Sequence, residues 1–310
     1  MPPAVPAVPP LLPVAALIVA SLLWAGAFVA MKYAVAIFDP MVVVFGRMAL
    51  AALVLLPIAA RMHPHQDRRP GDLRLLLFMS LGEPCLYFVF EANALRLTTA
   101  SQAGMIAATL PLMIDAAAVV FLGERVSRRT VAGFVLALAG VAWLSASGQP
   151  SEAAPNPVLG NALEVLAMAA ATCYIVTAKH LSARYSPLYI TAFMAGVGTL
   201  FFLPTLALPG TELPRSFPPL AVASVVFLGL GVTLGAYLCY NYGVKYLPAS
   251  QAGAFMNLIP VVVVFLGWWL LDEVFTPQQF AASALVLCGV LLCREAPAAP
   301  AAIPPGGPKP

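Results

Sequence analysis

Acidic residues stand inside apolar segments of this chain, where an ionisable group costs roughly 2.5–3.5 kcal/mol on membrane-insertion scales. Glu83, Tyr87 and Glu91 follow one another at helical spacing, so they form a polar stripe along one helix face. Pro84 follows Glu83 directly, which predicts a bent helix and a freed backbone carbonyl at that point. Such a stripe can contact a substrate amine, exchange a proton, or form buried hydrogen bonds to a neighbouring helix.

Three further ionisable residues lie inside apolar segments and need a reason for being there. Arg47 lies at about the depth of Glu91, in the outer third of the membrane, so the two could form an ion pair or contact a substrate. Asp115 and Glu164 have two open interpretations, a place in a polar cavity or a role in helix packing. Glu83 remains the best candidate, because it lies near the membrane midplane beside a proline that bends the helix.

Aromatic and amide side chains add a second group of candidates. Trp24 and Tyr174 lie near equivalent positions of two apolar segments, and Tyr237, Asn241 and Asn257 lie in two later ones. A buried Tyr or Asn needs a hydrogen-bond partner, whereas one that lines a wet cavity does not. These residues therefore predict a cavity lining, with an interfacial aromatic belt as the alternative.

Motifs for enzymatic chemistry are missing from the chain. We find no His-Glu-x-x-His, Gly-x-Ser-x-Gly, Gly-x-Gly-x-x-Gly or phosphate-binding loop. The five cysteines fall within or at the ends of apolar segments and form no Cys-x-x-Cys pair. We therefore expect no catalytic residue, metal site or cofactor, and a net charge of +3 gives no reason to expect a nucleic acid.

Composition places the chain in a membrane. Hydrophobic residues make up 61% and charged residues only 9%, with a mean hydropathy of +0.91. A soluble domain carries about 25% charged residues, so this chain lacks the polar surface to coat a water-soluble particle. It is expected to be an all-α, multi-pass integral membrane protein.

The chain repeats itself at an offset of 149 residues. The five residues Ala-Ser-Gln-Ala-Gly occur at 100–104 and again at 249–253. Further identities keep the same register, at Pro111 and Pro260, and at Gly140 and Gly289. A duplicated membrane chain of this kind is typical of two pseudo-symmetric halves with a site between them.

Ten apolar segments are each close to the roughly 20 residues that cross hydrocarbon. They span 13–36, 40–60, 73–95, 100–122, 129–147, 158–180, 187–207, 217–243, 249–271 and 276–294. Five segments per half is an odd number, so the second half enters the membrane from the opposite side, as an inverted repeat. The expected divisions are a cytoplasmic tail (1–12), the first repeat (13–147), an external linker (148–157), the second repeat (158–294) and a disordered cytoplasmic tail (295–310).

The distribution of basic residues predicts the orientation, because cytoplasmic loops are rich in Lys and Arg. With both termini in the cytoplasm, the inner side holds Arg61, Arg68, Arg69, Arg74, Arg125, Arg128, Arg129, Lys179, Arg184, Lys245, Arg294 and Lys309. The outer side then holds only Lys32, Arg96 and Arg215. Lys32 and Lys179 lie near segment ends, so their side chains are expected to reach water. Glu124 and Glu273 lie in turns, where capping or pairing with a nearby Arg is expected.

These motifs resemble the drug/metabolite transporter superfamily in its ten-helix EamA form. The resemblance rests on Trp24 to Phe28 with Lys32, on Arg47 after Pro40, and on Leu122-Gly123-Glu124-Arg125 with its counterpart Asp272-Glu273. It covers about residues 13 to 294. It implies a central cavity lined mainly by segments 1, 3, 4, 6, 8 and 9.

The expected function is a secondary transporter or facilitator that moves a small metabolite by alternating access. A cavity with both signs of charge and aromatic residues suits an amino acid or a similar amphiphile, and the resemblance favours export. A multidrug, sugar or nucleotide-sugar transporter of the same fold remains an alternative, as do a channel and an intramembrane enzyme. The expected setting is the bacterial inner membrane, as a monomer or weak dimer, with the lipid bilayer, a small substrate and protons as candidate partners.

Overall fold

The computed structural model of the chain describes residues 11–61, 69–122, 127–182, 184–247 and 255–293, leaving aside the side chains of 115, 118–122, 241, 244 and 245. In this part of the chain, regular structure is helical. The α-helices are α1 Leu11–Val35, α2 Pro40–Arg61, α3 Asp72–Ser80, α4 Tyr87–Leu97, α5 Ala100–Ala107, α6 Leu110–Leu122, α7 Arg128–Ala146, α8 Pro157–Ser182, α9 Pro187–Phe202, α10 Pro219–Val226, α11 Tyr237–Tyr246, α12 Leu258–Leu271 and α13 Pro277–Cys293.

Within the described residues, seven helical stretches are long and apolar enough to cross a membrane. They are Leu11–Val35, Pro40–Arg61, Asp72–Leu97, Arg128–Ala146, Pro157–Ser182, Pro187–Ala207 and Pro219–Tyr240. Three shorter apolar helices accompany them, at Ala100–Ile114, Leu258–Leu271 and Pro277–Cys293. The prediction of an all-helical, multi-pass membrane protein is confirmed, while the number of ten spans stays a prediction.

Two long helical stretches each contain a π-helical segment, which is wider than an α-helix, near their centre. One interruption, Leu81–Leu86, joins α3 to α4, and the other, Phe227–Ala236, joins α10 to α11. In the first, Glu83 has an extended backbone, with φ −139° and ψ 122°. Pro84 explains the break, because proline lacks an N–H and its ring clashes with the preceding helical turn. The bend expected at this position is confirmed.

Helices α7 and α13 pack closely through glycines. A Cβ atom added at Gly140 would lie 2.7 Å from the Val286 backbone nitrogen, and one added at Gly289 would lie 2.5 Å from that of Ala137. Adding 149 to 137 and 140 gives 286 and 289, so each contact becomes the other when the two repeats are exchanged. Small residues permit this approach of two backbones.

Replacing Gly289 by Ala is therefore expected to lower the melting temperature of the protein in detergent, because overpacking costs about 1–3 kcal/mol. Gly196→Ala is the matched control: it lies within α9, and its Cβ would meet only the Leu56 side chain, at 3.4 Å or more. The melting temperatures of the two variants are compared by heating each protein and measuring the fraction that remains folded by size-exclusion chromatography. Equal melting temperatures for both variants would contradict the close packing of α7 against α13.

Lys32 is buried, which corrects the expectation that its side chain reaches water. Its ammonium group donates hydrogen bonds to the carbonyl oxygens of Leu95 at 2.7 Å, Ala153 at 2.6 Å and Thr98. Three carbonyl acceptors replace water around the charge: the end of α4 leaves those of Leu95 and Thr98 without helical partners, and the connection between α7 and α8 supplies that of Ala153. Lys179, its counterpart in the second half, is exposed as expected.

The Glu273 side chain caps a helix of the other half of the chain. Its two carboxylate oxygens accept hydrogen bonds from the backbone nitrogens of Ala100 and Ser101, at 2.7 and 2.9 Å. These are the first residues of α5, where backbone N–H groups lack helical partners and negative charge is favourable. The structural role expected for Glu273 is confirmed, whereas Glu124 lies outside the described residues.

A second set of contacts joins other helix ends. Asp72, at the start of α3, pairs with Arg184 after α8 at 2.6 Å and accepts a hydrogen bond from the Tyr185 hydroxyl at 3.1 Å. Arg129, at the start of α7, donates to the carbonyl oxygen of Leu292 in the last turn of α13, at 3.0 Å. Helix ends from both halves of the sequence are thus tied together.

Candidate functional site

The carboxyl group of Glu83 meets the second half of the chain through Tyr237. The Tyr237 hydroxyl donates a hydrogen bond to Glu83 Oε1, and both residues are buried, with exposed fractions of 5% and 7%. Glu83 comes from the interrupted segment before α4, and Tyr237 begins α11 after the second interrupted segment. The repeat counterpart of Glu83 is Val232, so only one half supplies the acid.

Aromatic rings surround this contact. Trp24 packs against Tyr237 with ring centroids 5.6 Å apart and planes at 88°, and against Tyr240 at 5.1 Å. Tyr174 meets Tyr237 edge-on, at 6.3 Å and 90°. We call Glu83, Trp24, Tyr174, Tyr237 and Tyr240 the central aromatic site. Its edge-to-face geometry is that preferred by aromatic pairs.

The central aromatic site has the chemistry to bind an organic cation. Aromatic faces attract ammonium groups by about 0.5–2 kcal/mol, most strongly where water is excluded. A buried carboxyl group supplies a charge-assisted hydrogen bond to the same ammonium. Apolar parts of a ligand can stack against the remaining ring surface, so the site suits a small amphiphile that carries an amine.

A second polar group, centred on Arg47, lies beside this site. Arg47 Nη1 lies 3.8 Å from Glu91 Oε2, its Nε donates to the Thr233 hydroxyl at 2.8 Å, and its guanidinium carbon lies 4.0 Å from the centre of the Phe88 ring. The Tyr87 hydroxyl donates to Glu91 Oε1 at 2.6 Å. The Arg47–Glu91 pairing considered from the sequence is therefore present.

Glu164 completes this second group. It lies on α8, is 0% exposed, and interacts electrostatically with Glu91. Neither of its carboxyl oxygens has a hydrogen-bond partner among the described residues, and Glu91 Oε2 lacks one too. Buried polar atoms are normally hydrogen-bonded, so unpartnered ones need an explanation. We call Arg47, Tyr87, Glu91, Glu164 and Thr233 the Arg47 network.

The nine site residues expected from the sequence fall into four groups. Trp24, Glu83, Tyr174 and Tyr237 meet in the central aromatic site, and Tyr87 and Glu91 meet in the Arg47 network. Asn257 is half-buried, directly before α12. Asp115 and Asn241 lie in α6 and α11, with side chains outside the described residues.

Sequence reasoning missed Thr233, which binds Arg47 across the two halves. One signal could have found it. Thr233 directly follows Val232, the repeat counterpart of Glu83, so a polar residue stands one position from the place where the acid would recur.

Two stretches of the chain, residues 11–146 and 158–294, each match the family model described as the EamA-like transporter family. The chain belongs to this family. One relative of this EamA-like protein is the probable terminal-alkyne amino-acid exporter of Streptantibioticus cattleyicolor, 29% identical over 283 residues, which covers 90% of this chain and 92% of the relative.

Other relatives carry broader names. An uncharacterized transporter of Archaeoglobus fulgidus is 29% identical and aligned over 87% of this chain and 94% of its own length. The uncharacterized transporter YetK of Bacillus subtilis is 29% identical over 71% of this chain and 68% of its own. A solved crystal structure shares the fold, with a TM-score of 0.62 at 21% identity, over 90% of this chain and 95% of that one.

Proposed function

We propose that this EamA-like protein is a secondary transporter that exports a small amine-bearing metabolite, such as an amino acid, by alternating access. The observation that carries the proposal is the buried contact between Glu83 of the first half and Tyr237 of the second. In transporters built from repeats, substrate sites lie near the midplane at the interface of the repeats. A carboxyl group held across that interface is placed where a substrate would be enclosed.

The contact also suits a change of shape. If the halves rock against each other, the Tyr237 hydroxyl and the Glu83 carboxyl separate, and a substrate ammonium can take the place of the hydroxyl. The aromatic rings of Trp24 and Tyr174 then enclose the apolar part of the substrate. The probable amino-acid exporter among the relatives supports both the substrate class and the direction.

We further propose ten spans in two inverted repeats, with both termini in the cytoplasm of a bacterial cell. The contacts between helix ends support this alternation. Two sets of hydrogen bonds connect residues that the ten-span order places at the outer side: Lys32 with Leu95 of α4 and with Ala153, and Glu273 with Ala100. The exchangeable contacts between α7 and α13 support a twofold relation between the repeats.

Labelling tests the orientation. In a variant without native cysteines, Gln66→Cys is expected to react with an impermeant maleimide only from the cytoplasmic side, and Glu152→Cys only from the outside. Intact cells and inverted vesicles report the two sides. Reaction of both positions from one side would contradict the ten-span topology, whatever the substrate.

A screen in proteoliposomes tests the function. The purified protein is tested with radiolabelled amino acids, sugars and cationic dyes, with and without a pH gradient, against liposomes that carry Glu83→Gln. Saturable amino-acid flux that needs Glu83 is expected. Flux of dyes or sugars alone would favour the alternative of a multidrug or sugar transporter, and flux of no compound would argue against the proposal.

A further inference from the structure

Glu164 is a buried carboxyl group that the proposed substrate site does not use. Both of its oxygens lack hydrogen-bond partners among the described residues, although the side chain is fully buried. An isolated ionised carboxylate is too costly in such a place, so the group binds a cation or carries a proton. Its depth agrees with that of Glu91: seven residues from the start of α8 correspond to about 10 Å, and six from the end of α4 to about 9 Å.

The surrounding charges favour a proton over a metal ion. Glu91 and Tyr87 face Glu164 from α4, and α5 carries no ionisable residue. On α6, Asp115 has a side chain outside the described residues. The segment Leu81–Leu86 adds Glu83 and Cys85, and Arg96 lies exposed in the last turn of α4. The remaining ionisable residues on the helices packed against α8 stand in the first turns of α3, α7 and α9: Asp72, Arg74, Arg128, Arg129 and Tyr189. Where side chains are described, no group of three His, Cys, Asp or Glu residues is arranged to hold a metal.

Arg47 connects this region to the substrate site. It pairs with Glu91 at 3.8 Å and also interacts electrostatically with Glu83. Glu164 in turn interacts with Glu91, so the described residues of the two sites form a cluster of three buried carboxyl groups and one guanidinium, which interacts with Glu83 and Glu91. The cluster is electrically neutral only when two of the three carboxyl groups are protonated or neutralised by a ligand.

We propose that Glu164, together with Glu91, binds the proton that this transporter exchanges for its substrate, and that Arg47 couples this proton to Glu83. Without substrate, the single positive charge of Arg47 is shared between Glu83 and Glu91, whereas a substrate ammonium that neutralises the Glu83 carboxylate leaves this charge to Glu91 alone. The Glu91–Glu164 pair then releases a proton to water on the side to which the cavity is open. By reciprocity, a proton bound at Glu164 weakens substrate binding at Glu83 by the same factor. This inference rests on the proposed function and adds a coupling site separate from the substrate site.

Proteoliposomes separate this coupling from transport itself. The proteoliposomes are loaded with unlabelled amino acids. Uptake of tritiated L-phenylalanine, and of the other labelled amino acids, is first followed at equal pH on both sides, where it measures exchange of labelled for unlabelled amino acid. Uptake is then measured with an acidic interior, which for proton antiport is expected to accelerate it by about fivefold or more. Glu164→Gln is expected to keep the exchange and lose the acceleration. Glu152→Gln, an exposed carboxyl in the linker, is the matched control and is expected to behave as the parent protein.

Proton release gives a second measurement that does not depend on any variant. Adding the amino-acid mixture to the solubilised protein in weak buffer is expected to release protons to a pH-sensitive dye. Exchange without any response to pH, a response to a sodium gradient alone, or a full pH response in Glu164→Gln would each overturn the proton site while leaving the proposed function intact. Absence of exchange with every amino acid would instead remove the proposed function.

Discussion

Glu83→Gln is expected to lower substrate transport by about tenfold to a hundredfold, the effect of losing a charge-assisted hydrogen bond of about 1.5–3 kcal/mol. Glutamine keeps the size of the side chain and can still accept a hydrogen bond from Tyr237. It cannot carry the negative charge that a substrate ammonium requires. The measurement is initial uptake in proteoliposomes, with the amount of folded protein checked by size-exclusion chromatography.

Two controls define what the result means. Val232→Ala changes the repeat counterpart of Glu83, and although this side chain is fully buried, transport is expected to change far less. Tyr237→Phe removes the hydroxyl that donates a hydrogen bond to Glu83 and keeps the ring. It therefore tests whether the contact between the two halves contributes to transport. Transport at the parental rate in Glu83→Gln would remove Glu83 from the mechanism and leave the aromatic rings as candidates.

Much of the arrangement around Glu83 was predictable because local sequence determines it. Pro84 cannot continue a helix, so the interruption at Leu81–Leu86 follows from one residue type. The offset of 149 residues also predicted which positions correspond, and the interruption at Phe227–Ala236 lies at the matching place. Spacing along one helix was sufficient to group Tyr87 with Glu91.

Contacts between helices were harder to predict, because distance along a helix gives the depth of a residue but not its partner. Lys32 lies near a helix end, yet three carbonyl groups surround it where water was expected. Thr233 binds Arg47 only because the second interruption places its hydroxyl there. The sequence around Glu164 does not show that its carboxyl oxygens lack hydrogen-bond partners, because this depends on how α4 and α8 pack.

Replacing Arg47 by Met is expected to destabilise the folded protein by about 3–5 kcal/mol, because removing one partner of a buried ion pair leaves the other charge uncompensated. The change would deprive Glu91 of its only described cation and remove the donor to Thr233. The measurement is thermal unfolding in detergent, and Arg215→Met, at an exposed position, is the matched control.

The double variant Arg47→Met with Glu91→Leu separates the ion pair from the packing of Arg47. Replacing both buried partners by apolar residues of similar size is often neutral, so most of the lost stability is expected to return. The guanidinium also lies over the Phe88 ring, and Met keeps part of that contact. If the double variant were as unstable as Arg47→Met alone, the uncompensated charge of Glu91 would not be the cause. Packing against Phe88, the hydrogen bond to Thr233, and the Tyr87 hydroxyl that Glu91→Leu leaves without its acceptor would then explain the lost stability.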